Sequence, residues 1–250
     1  MKGTVGHRVP AEGEEPTQAM KTIGWIGGMS WESTVPYYRI INETVRERLG
    51  GVHSAKLVLY SVDFHEIEQL QSSRAWDESG RVLARAAQAL EAAGADFIVL
   101  CTNTMHKVAD AIENAVNIPL FHIADPTAQE IKKYGLTTVG LLGTRFTMEQ
   151  DFYRGRLRDQ HHLEVLIPDE ADRDVVHRVI YKELVLGLVR DASRAEYRRI
   201  IQRLVDQGAQ GVILGCTEIS MLVGPSDSPV PLFDTTSVHA RKAAEWALAK

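Results

Sequence analysis

One stretch of this sequence occurs twice, and that repeat constrains the fold more than any other feature. Residues 94–104 (GADFIVLCTNT) align without a gap on residues 208–218 (GAQGVILGCTE), 114 positions later. Residues 22–27 (TIGWIG) align on residues 138–143 (TVGLLG), 116 positions later. Two alignments at nearly the same offset predict two similar halves, although any turn from a buried strand into a helix can produce such a match.

Short apolar runs alternate with helical patterns along the chain. Alanines and leucines recur at helical spacing in residues 76–93, residues 195–207 form a second predicted helix, and an amphipathic helix reaches about Leu49. Strands that alternate with helices predict parallel β-sheets covered on both faces, which is an α/β fold. The predicted strands cover residues 22–27, 56–62, 97–101, 118–123, 138–143, 163–167, 211–215 and 231–233.

The repeat gives Thr102 and Cys216 matching positions, each just past the carboxyl end of a strand. Open α/β sheets bind their ligands at that end of the strands. Two halves that face each other across a cleft would set these two side chains on opposite sides of one small ligand. Cys101 lies one residue earlier, on the alternate face of its strand, so we exclude it as the counterpart of Cys216.

Composition excludes several classes of protein. The 250 residues carry a net charge of −5 without a basic block, which argues against nucleic-acid binding. No apolar run approaches the roughly 20 residues that a membrane-spanning helix needs. The two cysteines favour a cytoplasmic protein over a disulfide scaffold, and the scattered histidines predict no metal site. Residues 1–20 lack the apolar core of a secretory signal, so we expect a disordered extension there.

Cys216 stands in a Gly-Cys-Thr-Glu motif, ahead of apolar residues 219–223 that could open a helix. The N-terminus of a helix stabilises a thiolate, so we expect the pKa of Cys216 to lie below the ordinary value of about 8.5. A buried structural cysteine is the alternative. The polar Thr217 and Glu218 beside the thiol argue against it.

Thr102, Asn103 and Thr104 follow a predicted strand as three adjacent hydrogen-bonding side chains. They form a suitable cradle for a carboxylate, although the same residue types also cap helices without any ligand. Residues 27–30 (GGMS) follow the first strand and could hold an anion. They match neither a Walker A loop nor the dinucleotide fingerprint.

Two of these segments resemble the signature motifs of the aspartate/glutamate racemase superfamily. They are residues 101–106 (CTNTMH) and residues 215–219 (GCTEI). The resemblance runs from about residue 21 to the C-terminus and includes residues 26–34 and 141–153. The sequence is most similar to the branch of L-aspartate/glutamate-specific racemases.

The resemblance implies two pseudo-symmetric lobes, each with a parallel sheet of about four strands flanked by helices, and an active site in the cleft between them. We expect lobe 1 to comprise residues 21–118 and 229–250, and lobe 2 residues 119–228. The resemblance also implies a homodimer that works without pyridoxal phosphate, metal or nucleotide.

Typical members use one cysteine in each lobe as base and acid on opposite faces of the substrate's α-carbon. This sequence departs from that pattern, since Thr102 stands where the cysteine of the first lobe would be. A threonine hydroxyl is far too weak an acid to ionise near pH 7. We therefore expect the Cys216 thiolate to remove the α-proton of an L-amino acid. Thr102, alone or with a water, would lie on the face that is reprotonated.

The resemblance also implies which residues contact the substrate. Relatives restricted to aspartate hold its side chain with a lysine that would lie near Val185 here, and this sequence lacks it. Lys182 or Arg145 could replace it, and we expect racemisation of the acidic amino acids L-glutamate and L-aspartate. The implied substrate-binding residues are Met29, Gln71, Asn103, Thr104, Thr147, Thr217 and Glu218.

Two other functions stay open at this point. A single-cysteine decarboxylase of the arylmalonate type also uses one thiol, but the polar groups in both motifs favour an amino acid over an aryl substrate. A non-catalytic, two-lobed amino-acid-binding protein would also account for the missing second cysteine.

Overall fold

The computed structural model describes residues 20–249 of the chain. The predicted disordered extension, apart from Met20, lies outside the described residues. No helix in residues 20–249 combines the length and the apolar character that crossing a membrane requires.

Strands and helices alternate along the chain. The strands are β1 (Ile23–Gly27), β2 (Leu57–Ser61), β3 (Phe97–Leu100), β4 (Leu120–Phe121), β5 (Thr138–Gly143), β6 (Glu164–Leu166), β7 (Val212–Gly215) and β8 (Leu232–Asp234). The helices are α1 (Trp31–Leu49), α2 (Phe64–Ser72), α3 (Trp76–Ala92), α4 (Ala109–Glu113), α5 (Ala124–Lys133), α6 (Arg145–Glu149), α7 (Asp151–His161), α8 (Glu170–Lys182), α9 (Asp191–Asp206), α10 (Ile219–Leu222) and α11 (Thr235–Leu248). All eight predicted strands are confirmed, with their ends displaced by at most two residues.

The strands form two parallel sheets with the same order. The first sheet runs β2-β1-β3-β4 and the second runs β6-β5-β7-β8. Gly24 lies opposite Ile98 in the first sheet, and Gly140 lies opposite Val212 in the second. These pairs are related by the two offsets of the sequence repeat, so the structure confirms the repeat down to the pairing of individual residues.

The predicted boundaries between the lobes are wrong for two strands. β4 pairs with β3 in the first sheet, whereas the boundary at residues 118 and 119 assigned it to lobe 2. β8 pairs with β7 in the second sheet, whereas the boundary at residues 228 and 229 assigned it to lobe 1. Both are short edge strands, and nothing in their sequences indicates which strand they pair with. Helix α11, which follows β8, packs against α1 of the first lobe.

The two faces of the first sheet carry separate apolar cores. Ile98 and Leu100 point towards α2, α3 and α4, whereas Phe97 and Val99 point towards α1 and α11. Cys101 continues the second set and is fully buried there. Because successive side chains of a strand point to opposite faces, this alternation settles the direction of the residues that follow β3.

Candidate active site

A small cavity lies between the lobes at the carboxyl ends of β3 and β7. Thr102 and Cys216 both line it. Cys216 directly follows β7, and Thr102 is the second residue after β3. Its volume is about 20 Å³, which is room for roughly one water molecule. Eight of the predicted site residues line this cavity: Met29, Gln71, Thr102, Asn103, Thr104, Cys216, Thr217 and Glu218.

Thr147, the remaining predicted site residue, does not line the cavity. Its side chain is fully buried, with its hydroxyl oxygen 3.3 Å from those of Thr104 and Thr144. Thr144 takes the cavity position instead and lies 2.9 Å from the Thr104 hydroxyl. The turn that follows β5 corresponds to the turn that follows β1, so the repeat carried a signal for Thr144 that the sequence analysis missed.

Gly215, the last residue of β7, also lines the cavity, and so do four residues that were not among the predicted site residues: Phe64, Ile180, Tyr181 and Val185. Phe64 opens α2, and the other three come from the end of α8 and the turn after it. The resemblance pointed to the position of Val185, where aspartate-restricted relatives have a lysine. Phe64, Ile180 and Tyr181 are ordinary residues of an apolar helix face, so nothing in the sequence separates them from core residues. Only the approach of the two lobes, joined here by the hydrogen bond from Tyr181 to Gln71, brings these residues to one cavity.

Close approach of the strand ends positions Cys216. A β-carbon on Gly215 would lie 2.9 Å from the carbonyl oxygen of Leu142, and one on Gly143 would lie 2.8 Å from that of Gly215. Glycine at both places lets β5 and β7 meet at their carboxyl ends. The thiol therefore leaves the sheet directly after the pair Gly143–Gly215, where neither strand has room for a side chain.

The thiol of Cys216 has an environment opposite to the predicted one. Burial and the neighbouring Glu218 carboxylate raise the pKa of Cys216 well above its ordinary value. The predicted helix is a single turn, α10, which begins three residues after the thiol. The expectation of a lowered pKa was wrong because a nearby negative charge and desolvation outweigh so short a helix.

Glu218 is almost fully buried, with 2% of its surface exposed. Its Oε2 accepts hydrogen bonds from the Cys216 thiol at 3.0 Å and from the Thr217 hydroxyl at 2.9 Å. Its Oε1 accepts from the backbone N–H of Ser30 at 3.2 Å and from the Ser30 hydroxyl at 2.7 Å. Both oxygens are thus engaged by the protein, so the carboxylate joins the lobes beside the thiol.

Asn103 offers the site a free polar atom. Its Nδ2 donates to the Thr235 hydroxyl at 3.0 Å, and that hydroxyl donates in turn to the carbonyl of Leu214 at 2.8 Å. Its Oδ1 is buried without a hydrogen-bond partner among the described residues. An unpaired buried polar atom is costly, which suits a group that receives a ligand.

A buried histidine, His106, holds the backbone of Thr102 in place. His106 Nδ1–H donates to the Thr102 carbonyl at 2.7 Å, and its Nε2 accepts from the Ile123 N–H at 3.2 Å. Burial and the neighbouring His122 and His239 lower the pKa of His106 well below its ordinary value. A neutral ring with both nitrogens engaged keeps the Thr102 turn in one conformation.

The cationic residues considered for the substrate side chain lie outside the cavity. Arg145 is paired with Asp174 and Glu149, and it lines a wider groove together with Lys182. The Tyr181 hydroxyl donates to Gln71 Oε1 at 2.8 Å and so joins α8 to α2. Tyr181 lines both the groove and the cavity, and no lysine or arginine of the described chain is among the residues lining the cavity.

Comparison with known proteins agrees with this architecture. The Asp/Glu/hydantoin racemase family matches residues 26–243. The chain belongs to this family. The chain is also similar to solved structures and to a curated relative of nearly the same length. These similarities identify it as an amino-acid racemase. Its two four-stranded parallel sheets, flanked by helices, match the fold of that family.

Three relatives illustrate the range of similarity. A candidate Asp/Glu racemase of Yersinia pestis is 59% identical, with a TM-score of 0.86, covering 92% of this chain and 100% of that one. An aspartate racemase homologue of Pyrococcus horikoshii OT3 is 38% identical, with a TM-score of 0.78, covering 91% and 99%. The broad specificity amino-acid racemase RacX of Bacillus subtilis (strain 168) is 23% identical over 239 residues, covering 91% and 98%.

Proposed function

We propose that this protein racemises L-amino acids with Cys216 as the base and Thr102 on the opposite face of the α-carbon. The observation that carries the proposal is that these two residues line one cavity from equivalent ends of the two repeated sheets. The thiolate takes the α-proton, and the electron pair left on Cα spreads into the α-carboxylate. A proton from water on the Thr102 side then reaches the other face.

Hydroxyl and amide groups around the cavity support binding of an amino acid. Thr104 presents a hydroxyl group and Asn103 presents its unpaired Oδ1, whereas the Thr217 hydroxyl already donates its hydrogen to Glu218. Hydrogen-bond donors aimed at the α-carboxylate stabilise the negative charge that develops there when the proton leaves. An acceptor such as Asn103 Oδ1 suits the α-ammonium group.

The charges of the residues that line the cavity indicate the class of substrate. An acidic side chain in this cavity would bury a carboxylate without a cation, which is costly. The lining near the expected lysine position is Val185, with Ile180 and Phe64 close by in the same cavity. We therefore propose that L-glutamate and L-aspartate belong to a wider range of substrates, within which uncharged side chains react faster. The broad specificity named for the Bacillus subtilis relative supports this range.

Entry of any amino acid requires the cavity to enlarge, since about 20 Å³ does not hold one. The hydrogen bond from Tyr181 to Gln71 joins the two lobes at the wall between the cavity and the outer groove. We propose that separation of α8 from α2 breaks this bond when the substrate enters.

The test uses two isosteric pairs of substrates, L-glutamine with L-glutamate and L-asparagine with L-aspartate. Purified full-length protein is incubated with each in deuterated water without added cofactor, and deuterium at Cα and the D-enantiomer are measured. We expect exchange that Cys216→Ser abolishes and that the matched control Cys101→Ser retains. The amide of each pair should react faster than the acid.

Each result bears on a different part of the proposal. Absence of exchange with all four amino acids would refute racemisation, and binding without exchange would favour an amino-acid-binding protein. Decarboxylation of an arylmalonate together with that absence would favour the decarboxylase. Faster exchange of both acids would refute the proposed preference for uncharged side chains. The homodimer and the cytoplasmic location stay predictions.

A further inference from the structure

The buried carboxyl group of Glu218 has a place in the proposed reaction that binding alone does not explain. Its Oε2 lies 3.0 Å from Cys216 Sγ, the atom proposed to take the α-proton. No salt bridge of Glu218 occurs within the described part of the chain, so no lysine or arginine neutralises it there. The contact with the thiol is its closest link to the reacting atoms.

The geometry leaves one proton to be shared between the thiol and the carboxyl group. The Ser30 backbone N–H can only donate to Glu218, which identifies Oε1 as an acceptor. The thiol lies 3.0 Å from the other oxygen, Oε2, which is hydrogen-bond distance, so one proton can pass between the sulfur and that oxygen. Burial disfavours a thiolate here, and a thiolate and a carboxylate at this separation would also place two negative charges side by side. Both effects raise the pKa of Cys216.

A base must nevertheless form at the sulfur if Cys216 is to remove the α-proton. Loss of the thiol proton to bulk water would create the unfavourable pair of charges. Transfer of that proton to Glu218 avoids it, because the pair then keeps one proton and a single negative charge throughout.

We propose that Glu218 is the proton acceptor for the Cys216 thiol, so that the reacting base is a Cys216 thiolate beside a protonated Glu218. This inference rests on the proposed function. In the first step the S–H bond breaks, an O–H bond forms at Oε2, and the electron pair stays on sulfur. In the second step the thiolate takes the α-proton, and the C–H electron pair passes to the α-carbon and its carboxylate.

The cycle closes without any other reagent. Water on the Thr102 side gives a proton to the α-carbon and becomes hydroxide. Glu218 releases its proton to solvent, where the proton and the hydroxide recombine to water; this returns the carboxylate and leaves the thiol carrying the proton taken from the substrate. The protein therefore ends in its starting protonation state, and the new hydrogen on the product comes from solvent.

The decisive variant is Glu218→Gln, which keeps the shape of the side chain but cannot take the proton. Thiolate is followed by its ultraviolet absorbance against pH, with Cys216→Ser subtracted, and exchange at Cα is followed with the best substrate of the four-member panel. We expect thiolate to form at lower pH in the variant because a negative charge is gone. Exchange near pH 7 should still fall at least tenfold.

Glu183→Gln serves as the matched control, because Glu183 is also a buried glutamate but bonds to Ser193 rather than to the thiol. We expect it to keep the wild-type pH profile. If exchange in Glu218→Gln instead rises in proportion to thiolate and exceeds the wild-type rate, Glu218 only raises the pKa of the thiol, and the inference is refuted. An unchanged rate and an unchanged thiolate profile would refute it as well.

The wild-type enzyme supplies a test that needs no variant to fold. Proton transfer from Cys216 to Glu218 makes the rate independent of pH through the neutral range, because these two residues together hold one proton at every pH in that range. A free thiolate would instead give a rate that falls tenfold per pH unit on acidification, which would refute the inference. Failure of wild-type exchange itself would count against the proposed function, whereas wild-type exchange with either of these adverse profiles counts only against Glu218.

Discussion

Acidification is expected to destabilise this protein through His122, which lies beneath the site in contact with His106. The side chain of His122 is 5% exposed, and the two imidazole rings have centroids 4.3 Å apart. Burial, followed by the charge of Arg156 and the nearby His239 and His161, lowers the pKa of His122 to about 2. The ring is therefore neutral in the folded protein at any pH at which the fold is normally studied.

The size of the effect follows from the difference in pKa between the folded and unfolded states. In the unfolded chain His122 takes up a proton below about pH 6.5, whereas the folded protein does not until about pH 2. The unfolded state thus binds more protons in this range, and stability falls as the pH falls. Between pH 7 and pH 5 the loss from His122 alone is about 2 kcal/mol.

The variant His122→Asn isolates this contribution. Asparagine can still accept the Ala124 N–H that His122 Nδ1 accepts at 3.2 Å, but it does not titrate. Urea unfolding followed by circular dichroism at pH 7 and pH 5 gives the loss of unfolding free energy for each protein. We expect the loss to be smaller by about 2 kcal/mol in His122→Asn than in the wild type.

A matched control is His53→Asn, whose parent side chain is exposed on a turn. It should show the wild-type loss on acidification. Packing changes caused by His122→Asn affect both pH values alike and cancel in the difference. Equal losses in the wild type and His122→Asn would show that His122 is not held neutral by the fold, and the reasoning would fail.

Two further predictions concern the site itself. Thr102→Cys should raise the rate with D-amino acids at least tenfold, because a thiol then faces the α-proton of the D-enantiomer. The conversion of D- to L-amino acid is followed by chiral chromatography, and an unchanged rate would mean that the assignment of faces is wrong. Gly215→Ala should cost about 1–3 kcal/mol of unfolding free energy in urea, because its β-carbon would overlap the backbone of β5. The control Gly224→Ala meets nothing within 4 Å and should keep wild-type stability; equal losses in both would refute the overlap.

Much of the fold could be predicted from the sequence, because the signals that carry it are local. Each buried strand is a short apolar run between helical patterns, and the repeat at offsets of 114 and 116 residues relates one sheet to the other. The same repeat aligned Thr102 with Cys216 and excluded Cys101. The partners of β4 and β8 could not be predicted, since pairing at a sheet edge depends on chain segments distant in sequence.

The candidate site divides in the same way. Residues next to the strand ends, such as Asn103 and Thr217, were found because their position follows from the strand that precedes them. Tyr181 and Ile180 were missed because a residue of α8 reaches the cavity only through the approach of the two lobes. Thr147 was assigned to the cavity, but the turn after β5 directs Thr144 there instead.

The sequence by itself determined that the chain has two related α/β halves and that a single thiol and a threonine hold equivalent positions in them. Only the tertiary structure decided how that thiol behaves. The N-terminal end of a helix predicts a lowered pKa, yet the fold buries Cys216 and sets the Glu218 carboxylate 3.0 Å from its sulfur, held there by Ser30 of the other lobe. Charges and desolvation act through space, so their effect on a side chain appears only when distant segments have been brought together.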